Sequence, residues 1–152
     1  MFVDNHDNAR FLSRYSGNNT GLKQAQVFAL TSRGIPFTYY GTEQYYAGGN
    51  DPNNRESLWQ DMNTQSDLYQ IIAKVNAQRK ASEIWNDSYV ERYVDESFFA
   101  FSRGEFLVAR HRARILALGS NVAVDQFDDR DRGRVGHADP RLDHPAISAV
   151  AA

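Results

Sequence analysis

The sequence predicts an α/β chain: two consecutive β-loop-α units of the kind that build a parallel α/β barrel, followed by the start of an all-β segment. Three observations carry this. Short apolar runs at positions 1–3 and 35–40 each end in a dense polar cluster, and barrel strands deliver functional side chains at their carboxyl ends in this way. Stretches with helical spacing follow each cluster. Positions 89–109 are dense in β-formers broken by two turn sequences.

The chain opens on Met1-Phe2-Val3 and passes at once into Asp4-Asn5-His6-Asp7-Asn8-Ala9-Arg10. A buried strand that ends in carboxylates and an imidazole delivers side chains to a site, although Asp and Asn also dominate turns by bonding their own backbone. Thr20 is expected to cap a helix that places Leu22, Ala25, Phe28 and Ala29 on one face, with Gly34 and Pro36 ending it. Ile35-Pro36-Phe37-Thr38-Tyr39-Tyr40 is aromatic and β-branched, so it reads as a second buried strand that leads into the polar stretch 41–55. Ser66 before Asp67 starts a second helix, and Leu68, Ile71, Ile72 and Val75 carry its apolar stripe up to about Lys80. Beyond it Tyr89, Val90, Tyr93, Val94, Phe98, Phe99, Phe101, Phe106, Leu107 and Val108 mark strands, with Asp95-Glu96 and Arg103-Gly104-Glu105 as turns.

Composition narrows the function classes. A chain of 152 residues can bury one ordinary core. A formal charge of -2 and a pI near 6.1 give no electrostatic reason to expect nucleic acid or a membrane surface as partner. The N-terminus lacks the basic and apolar segments of a secretory signal, which leaves localisation unassigned for the chain as written. No cysteine is present, so disulfides and thiolate metal sites are excluded. Asn18-Asn19-Thr20 and Asn86-Asp87-Ser88 are sequons that matter only in a secretory pathway. From Arg110 onward Lys, Tyr and Trp disappear, Arg and Asp accumulate, and apolar periodicity is nearly lost apart from Ile115-Leu116-Ala117-Leu118. Residues 110–152 are therefore expected to be an anomalous tail, either out of frame or a disordered extension.

Downstream of the first polar cluster stands a second, Gly41-Thr42-Glu43-Gln44-Tyr45-Tyr46-Ala47-Gly48-Gly49-Asn50-Asp51-Pro52-Asn53-Asn54-Arg55-Glu56-Ser57-Leu58-Trp59. Taken together, Asn5-His6-Asp7, Gly34-Ile35-Pro36, Gly41-x-Glu43-Gln44 and the run from Ala47 to Glu56 resemble the alpha-amylase family of glycoside hydrolases, its fungal-type members in particular, to about Ala109. The resemblance implies the last two units, the seventh and eighth, of a (β/α)8 TIM barrel in residues 1–82. It implies the start of a β-sandwich C-terminal domain in 83–109.

The resemblance also implies roles. Asp7 matches the third active-site acid of the family, which bonds sugar hydroxyls at the cleavage subsite and favours an oxocarbenium-like transition state; its alternative is a turn residue. His6 would donate to hydroxyls of the same sugar. Asp51 and Arg55 match positions that contact a glucose farther along the cleft, where Arg and carboxylate form directional bonds to paired hydroxyls. An internal ion pair holding the Gly48-Gly49 loop is the other reading of that pair. Tyr45, Tyr46 and Trp59 are as readily packing as stacking residues, and Arg10 and Glu43 fit either a supporting or a salt-bridge role. The partners implied are α-glucans: starch, glycogen and maltooligosaccharides. Calcium is expected for the full-length family enzyme, yet no ligand set is assignable here. The Asp129-x-Asp131-x-Gly133 stretch has Pro140 where a calcium loop needs its bidentate Glu, and His137, Asp139, Asp143 and His144 lack defined ligand spacing.

A retaining glycosidase needs one carboxylate as nucleophile and a second as acid then base. In the family these come from earlier barrel strands, so the expectation is a carboxyl-side portion of an alpha-amylase, inactive by itself, whose parent enzyme is secreted. The alternatives are a nonfunctional truncated fragment, a noncatalytic α-glucan-binding module, and, within the enzyme class, a related α-glucosidase or transglycosylase.

Overall fold

The apolar spacing at Leu68, Ile71 and Val75 produces helix α3 (Asp67–Ala81) and buries all three side chains. This computed structural model describes residues 1–60, 62–111, 114–119 and 122–125. Ser66 stands at the N-cap as expected, but its hydroxyl donates to the Glu43 carbonyl (2.8 Å) instead of capping, and Asp67 itself accepts the Leu68 N–H.

Helix α2 (Asn19–Thr31) starts earlier than the sequence suggests, because Asn18 and not Thr20 caps it by accepting the Gly21 N–H at 2.8 Å. It also ends at Thr31, ahead of Gly34. Its buried side is wider than one stripe. Leu22, Val27, Ala29 and Leu30 are joined by Gln24 and Gln26, while the expected Ala25 and Phe28 are only half-buried. Each glutamine has a distant partner: Gln26 donates to Thr38 (2.7 Å), and Gln24 accepts from Arg110 (3.3 Å). The short helix α1 (Phe11–Arg14) precedes it, with Leu12 buried against Leu22 and Leu68.

The two apolar runs expected as strands are extended chain without strand ladders among the described residues. What remains is a single rung of parallel pairing: the Met1 amine donates to the Ile35 carbonyl (2.6 Å) and the Phe37 N–H donates to the Met1 carbonyl (2.8 Å). Alternate residues of an extended chain point their backbone groups to opposite sides, so Pro36 faces the other edge, where it has no N–H to give. One rung cannot make a strand.

The β segment is a five-stranded antiparallel meander, β1 (Tyr89–Val94), β2 (Phe98–Arg103), β3 (Phe106–His111), β4 (Arg114–Gly119) and β5 (Val122–Asp125), paired in chain order. Both expected turns form. Asp95 accepts the N–H groups of Ser97 and Phe98 (2.7 Å each), and Gly104 takes the left-handed φ of +56° between β2 and β3. The sheet extends past Ala109: β3 runs to His111, and the apolar stretch 115–118 lies within β4. Residues 126–152 of the tail that the sequence sets apart, including Asp129, Asp131, His137, Asp139, Asp143 and His144, lie outside the described residues.

Helices and sheet share one core. Val27 and Leu30 of α2, Ile71 and Val75 of α3, Ile84, and Phe101, Phe106 and Val108 of the sheet form a single buried cluster that runs across the break expected near residue 82. Arg103 adds a polar weld: it donates to the Ser32 carbonyl at 2.9 Å and meets the last carbonyls of α2, where the helix dipole favours a cation.

Candidate functional site

The site is built where the two polar loops meet. Asp4, at the end of the opening segment, is buried and structural: it accepts the Phe11 N–H (2.7 Å) and the Thr42 hydroxyl (2.9 Å), fixing α1 and the 42–44 turn to one point. Asn5 then makes an Asx turn, its Oδ1 accepting from the Asp7 and Asn8 N–H groups at 2.9 and 3.0 Å. That turn presents the next two side chains outward. His6 and Asp7 are 63% and 73% exposed, with His6 Nε2 3.3 Å from Asp7 Oδ1.

The second loop is held from inside by Arg10, whose side chain is wholly buried. Its Nε donates to Glu56 (2.7 Å), its Nη1 donates to the Tyr40 carbonyl (3.0 Å), and its backbone N–H donates to Gly48 (3.0 Å). Glu56 closes the triangle by accepting the Gly48 N–H at 2.6 Å. The guanidinium lies 4.6 Å from the Tyr39 ring and 5.4 Å from those of Tyr40 and Tyr46, within cation-π range. Glycine is required at position 48, since a Cβ there would run into the Asn53 carbonyl. Arg10 is thus the pin that fastens loop 48–56 to the loop carrying Asp7.

Asn54 and Arg55 complete the junction. Asn54 is fully buried, and its Nδ2 donates to the carbonyls of both His6 and Asn8 at 2.9 Å. Arg55 pairs with Asp51 (Nε to Oδ1, 2.9 Å) and also reaches the His6 carbonyl through Nη2 at 3.4 Å. The four side chains singled out in the sequence, His6, Asp7, Asp51 and Arg55, therefore belong to one connected surface. The Asp51–Arg55 ion pair anticipated as an alternative does form, on the surface, where both groups keep about half their area open to solvent.

Other candidates take structural places. The Tyr45 hydroxyl donates to Asp67 (2.6 Å), and burial together with this bond raises its pKa well above the ordinary tyrosine value. Asp67 also holds Lys23 at 2.5 Å; burial works to raise its pKa, but the bonds from Lys23 and Tyr45 outweigh it and keep the carboxyl below its ordinary range. Tyr46 donates to the Ser57 carbonyl (2.9 Å), whereas Trp59 stands out at 75% exposed. Two surface hollows are present: one is lined by Met1, Val3, Phe28 and by Asn5 and Asn8 of the turn that carries Asp7, and another lies between Tyr15, Phe28 and Phe99, and Asp7 itself lines neither. The chemistry is on the open loops.

Asp4, Asn54 and Glu56 were not legible as site residues. Each has a partner far away in sequence, Thr42 for Asp4, His6 for Asn54 and Arg10 for Glu56, although Asn54 and Glu56 both flank Arg55, which the sequence singled out. Among the described residues no group of three or more His, Asp or Glu side chains is placed to hold a metal ion. Among them also, no helix is long and apolar enough to cross a membrane.

The chain is similar to known proteins. The family profile described as "Alpha amylase, catalytic domain" matches residues 1–98. An alpha-amylase of Saccharomycopsis fibuligera is 36% identical over 90% of this chain and 27% of its own length. A cyclomaltodextrin glucanotransferase of Bacillus sp. (strain 1011) is 43% identical over 81% of this chain and 15% of its own length. Among solved structures, an alpha-amylase from Malbranchea cinnamomea superposes with a TM-score of 0.67 at 32% identity, over 74% of this chain and 25% of that one. The chain thus spans less than a third of the length of these relatives.

Proposed function

The chain belongs to the alpha-amylase family, and from that premise we propose that residues 1–82 are the last two β/α units of a (β/α)8 barrel and form one wall of an α-glucan cleft. Asp7 is the carboxylate that accepts hydroxyl hydrogen bonds from the sugar at the cleavage subsite and stabilises the positive charge that develops at its anomeric centre. His6, beside it, donates to the same sugar. Asp51 and Arg55 hold a glucose farther along the cleft, the carboxylate accepting and the guanidinium donating in fixed directions. The reaction is endo-hydrolysis of α-1,4 bonds in starch and glycogen with retention. The nucleophile and the general acid come from earlier barrel strands, so the 152-residue chain alone binds glucan without turnover.

One observation supports this reading above the rest: Asn54 and Arg55 both bond the His6 carbonyl, so the distal pair and the Asp7 loop form a single surface at the ends of two adjacent extended segments. A cleft-lining role needs that adjacency. The similarity to a glucanotransferase favours a second reading within the same chemistry, transfer to a sugar hydroxyl in place of water; both use Asp7 identically.

Calorimetric titration of the chain with maltoheptaose tests the proposal. Binding is expected, with Asp7→Asn weakening it about tenfold or more, the loss of a charge-assisted bond of about 1.5–3 kcal/mol. A flat trace for the unmodified chain would overturn the glucan-cleft reading and leave the truncated, nonfunctional alternative. Release of reducing sugar by the unmodified chain would overturn the assignment of the missing carboxylates to other strands.

A further inference from the structure

We propose that Asn54 is a positioning residue that sets the Asp7 carboxylate, an inference that rests on the reading of Asp7 as the stabilising acid. The amide of Asn54 is fully buried, and its Nδ2 gives one hydrogen to the His6 carbonyl and one to the Asn8 carbonyl, both at 2.9 Å. Of the two ends of the amide only the NH2 can donate to two carbonyls, which fixes which way the amide points. These carbonyls lie on either side of Asp7. The first belongs to the peptide that enters Asp7 and the second to the peptide that leaves Asn8, so the two bonds hold the Asp7-Asn8 pair at both ends and limit the direction in which the Asp7 side chain leaves the backbone.

The local alternative is weaker. Asn5 also bonds the Asp7 and Asn8 N–H groups, but it lies in the same exposed turn and moves with it. Asn54 is the buried tie to the remainder of the fold, because its own loop is pinned through Glu56, Gly48 and buried Arg10, whereas Arg14 reaches only the exposed side chain of Asn8 (3.0 Å). The neighbouring Arg55 carries the distal pair with Asp51 and touches the same His6 carbonyl. The Asn54-Arg55 dipeptide therefore joins the distal glucose site and the Asp7 site in one rigid unit. Misplacement of a reacting group by about 1 Å costs on the order of a hundredfold in rate, so such a tie is a functional device.

Asn54→Asp tests this directly, since it keeps the shape and removes both donors. In backbone 15N relaxation of the full chain, the order parameters of Asp7 and Asn8 are expected to fall from the rigid range near 0.85 to below about 0.6. The amides of α3 should stay unchanged. Should the buried carboxylate unfold the chain, Asn54→Ala removes the same bonds without a charge and is expected to give the same local loss. Order parameters at Asp7 and Asn8 that stay rigid in a folded Asn54 variant would overturn the proposal. Maltoheptaose provides the separate arm: shifts at Asp7 are expected in the unmodified chain and lost in the variant, with those at Asp51 kept. Shifts at Asp7 that survive in a folded variant would also count against Asn54. No shift in the unmodified chain would remove the glucan reading, while the relaxation data would still decide whether Asn54 orders the loop.

Discussion

Arg10 illustrates how one residue can fill both roles that its sequence context allows. A supporting role and a salt bridge are the two readings, and here the guanidinium is entirely buried, pairs with Glu56 and donates to the Tyr40 carbonyl beneath the site loops. Its Nη2 has no hydrogen-bond partner among the described residues, and the guanidinium Cζ stands 4.6 Å from the centre of the Tyr39 ring. Removing one member of a buried pair leaves the other uncompensated. Arg10→Ala is expected to cost about 3 kcal/mol, the lower end of the range for buried pairs because Glu56 keeps a solvent-facing edge. Urea unfolding followed by circular dichroism measures it. Arg10→Lys should recover little, since an ammonium cannot match the forked donors or stack on the rings. An unchanged midpoint in Arg10→Ala would show that the pin carries no stability.

Among the elements, α3 and the β turns are the parts most legible in sequence. The spacing of Leu68, Ile71 and Val75 needs no distant partner to specify a helix, and Asp95 and Gly104 direct their turns through local bonds and a left-handed φ. Helix α2 is less legible because its neighbours surround it. Gln24 and Gln26 break the apolar stripe and are buried only because Arg110 and Thr38 arrive from elsewhere. The shared core leads to a prediction at this scale. Phe106 is fully buried among residues of α2, α3 and β2, so Phe106→Ala should cost about 3–5 kcal/mol. Because the cluster is continuous, the far-ultraviolet helix signal and the aromatic near-ultraviolet signal should shift together in thermal unfolding. Separate transitions would mean that sheet and helices have independent cores.

At the scale of the whole molecule, the extended segments that flank the site keep several of their apolar side chains in solvent: Phe37 is 62% exposed and Ile35 74%. Contiguous apolar surface beside unpaired backbone edges favours self-association. Phe37→Lys is expected to lower the light scattering of concentrated solutions while leaving the circular dichroism spectrum unchanged; equal scattering would place the sticky surface elsewhere. The sequence by itself determined the family-bearing loops, the stripe of α3, the turns of the meander and the four side chains offered at the site. Each is written in neighbouring residues or in a motif of fixed spacing. Tertiary structure alone decided that the two apolar runs share a single rung, that Arg10 is interior, and that Asn54 holds the backbone on both sides of Asp7. Those contacts join residues 34 to 48 positions apart, and no local periodicity encodes which distant backbone groups will be left for a buried side chain to satisfy.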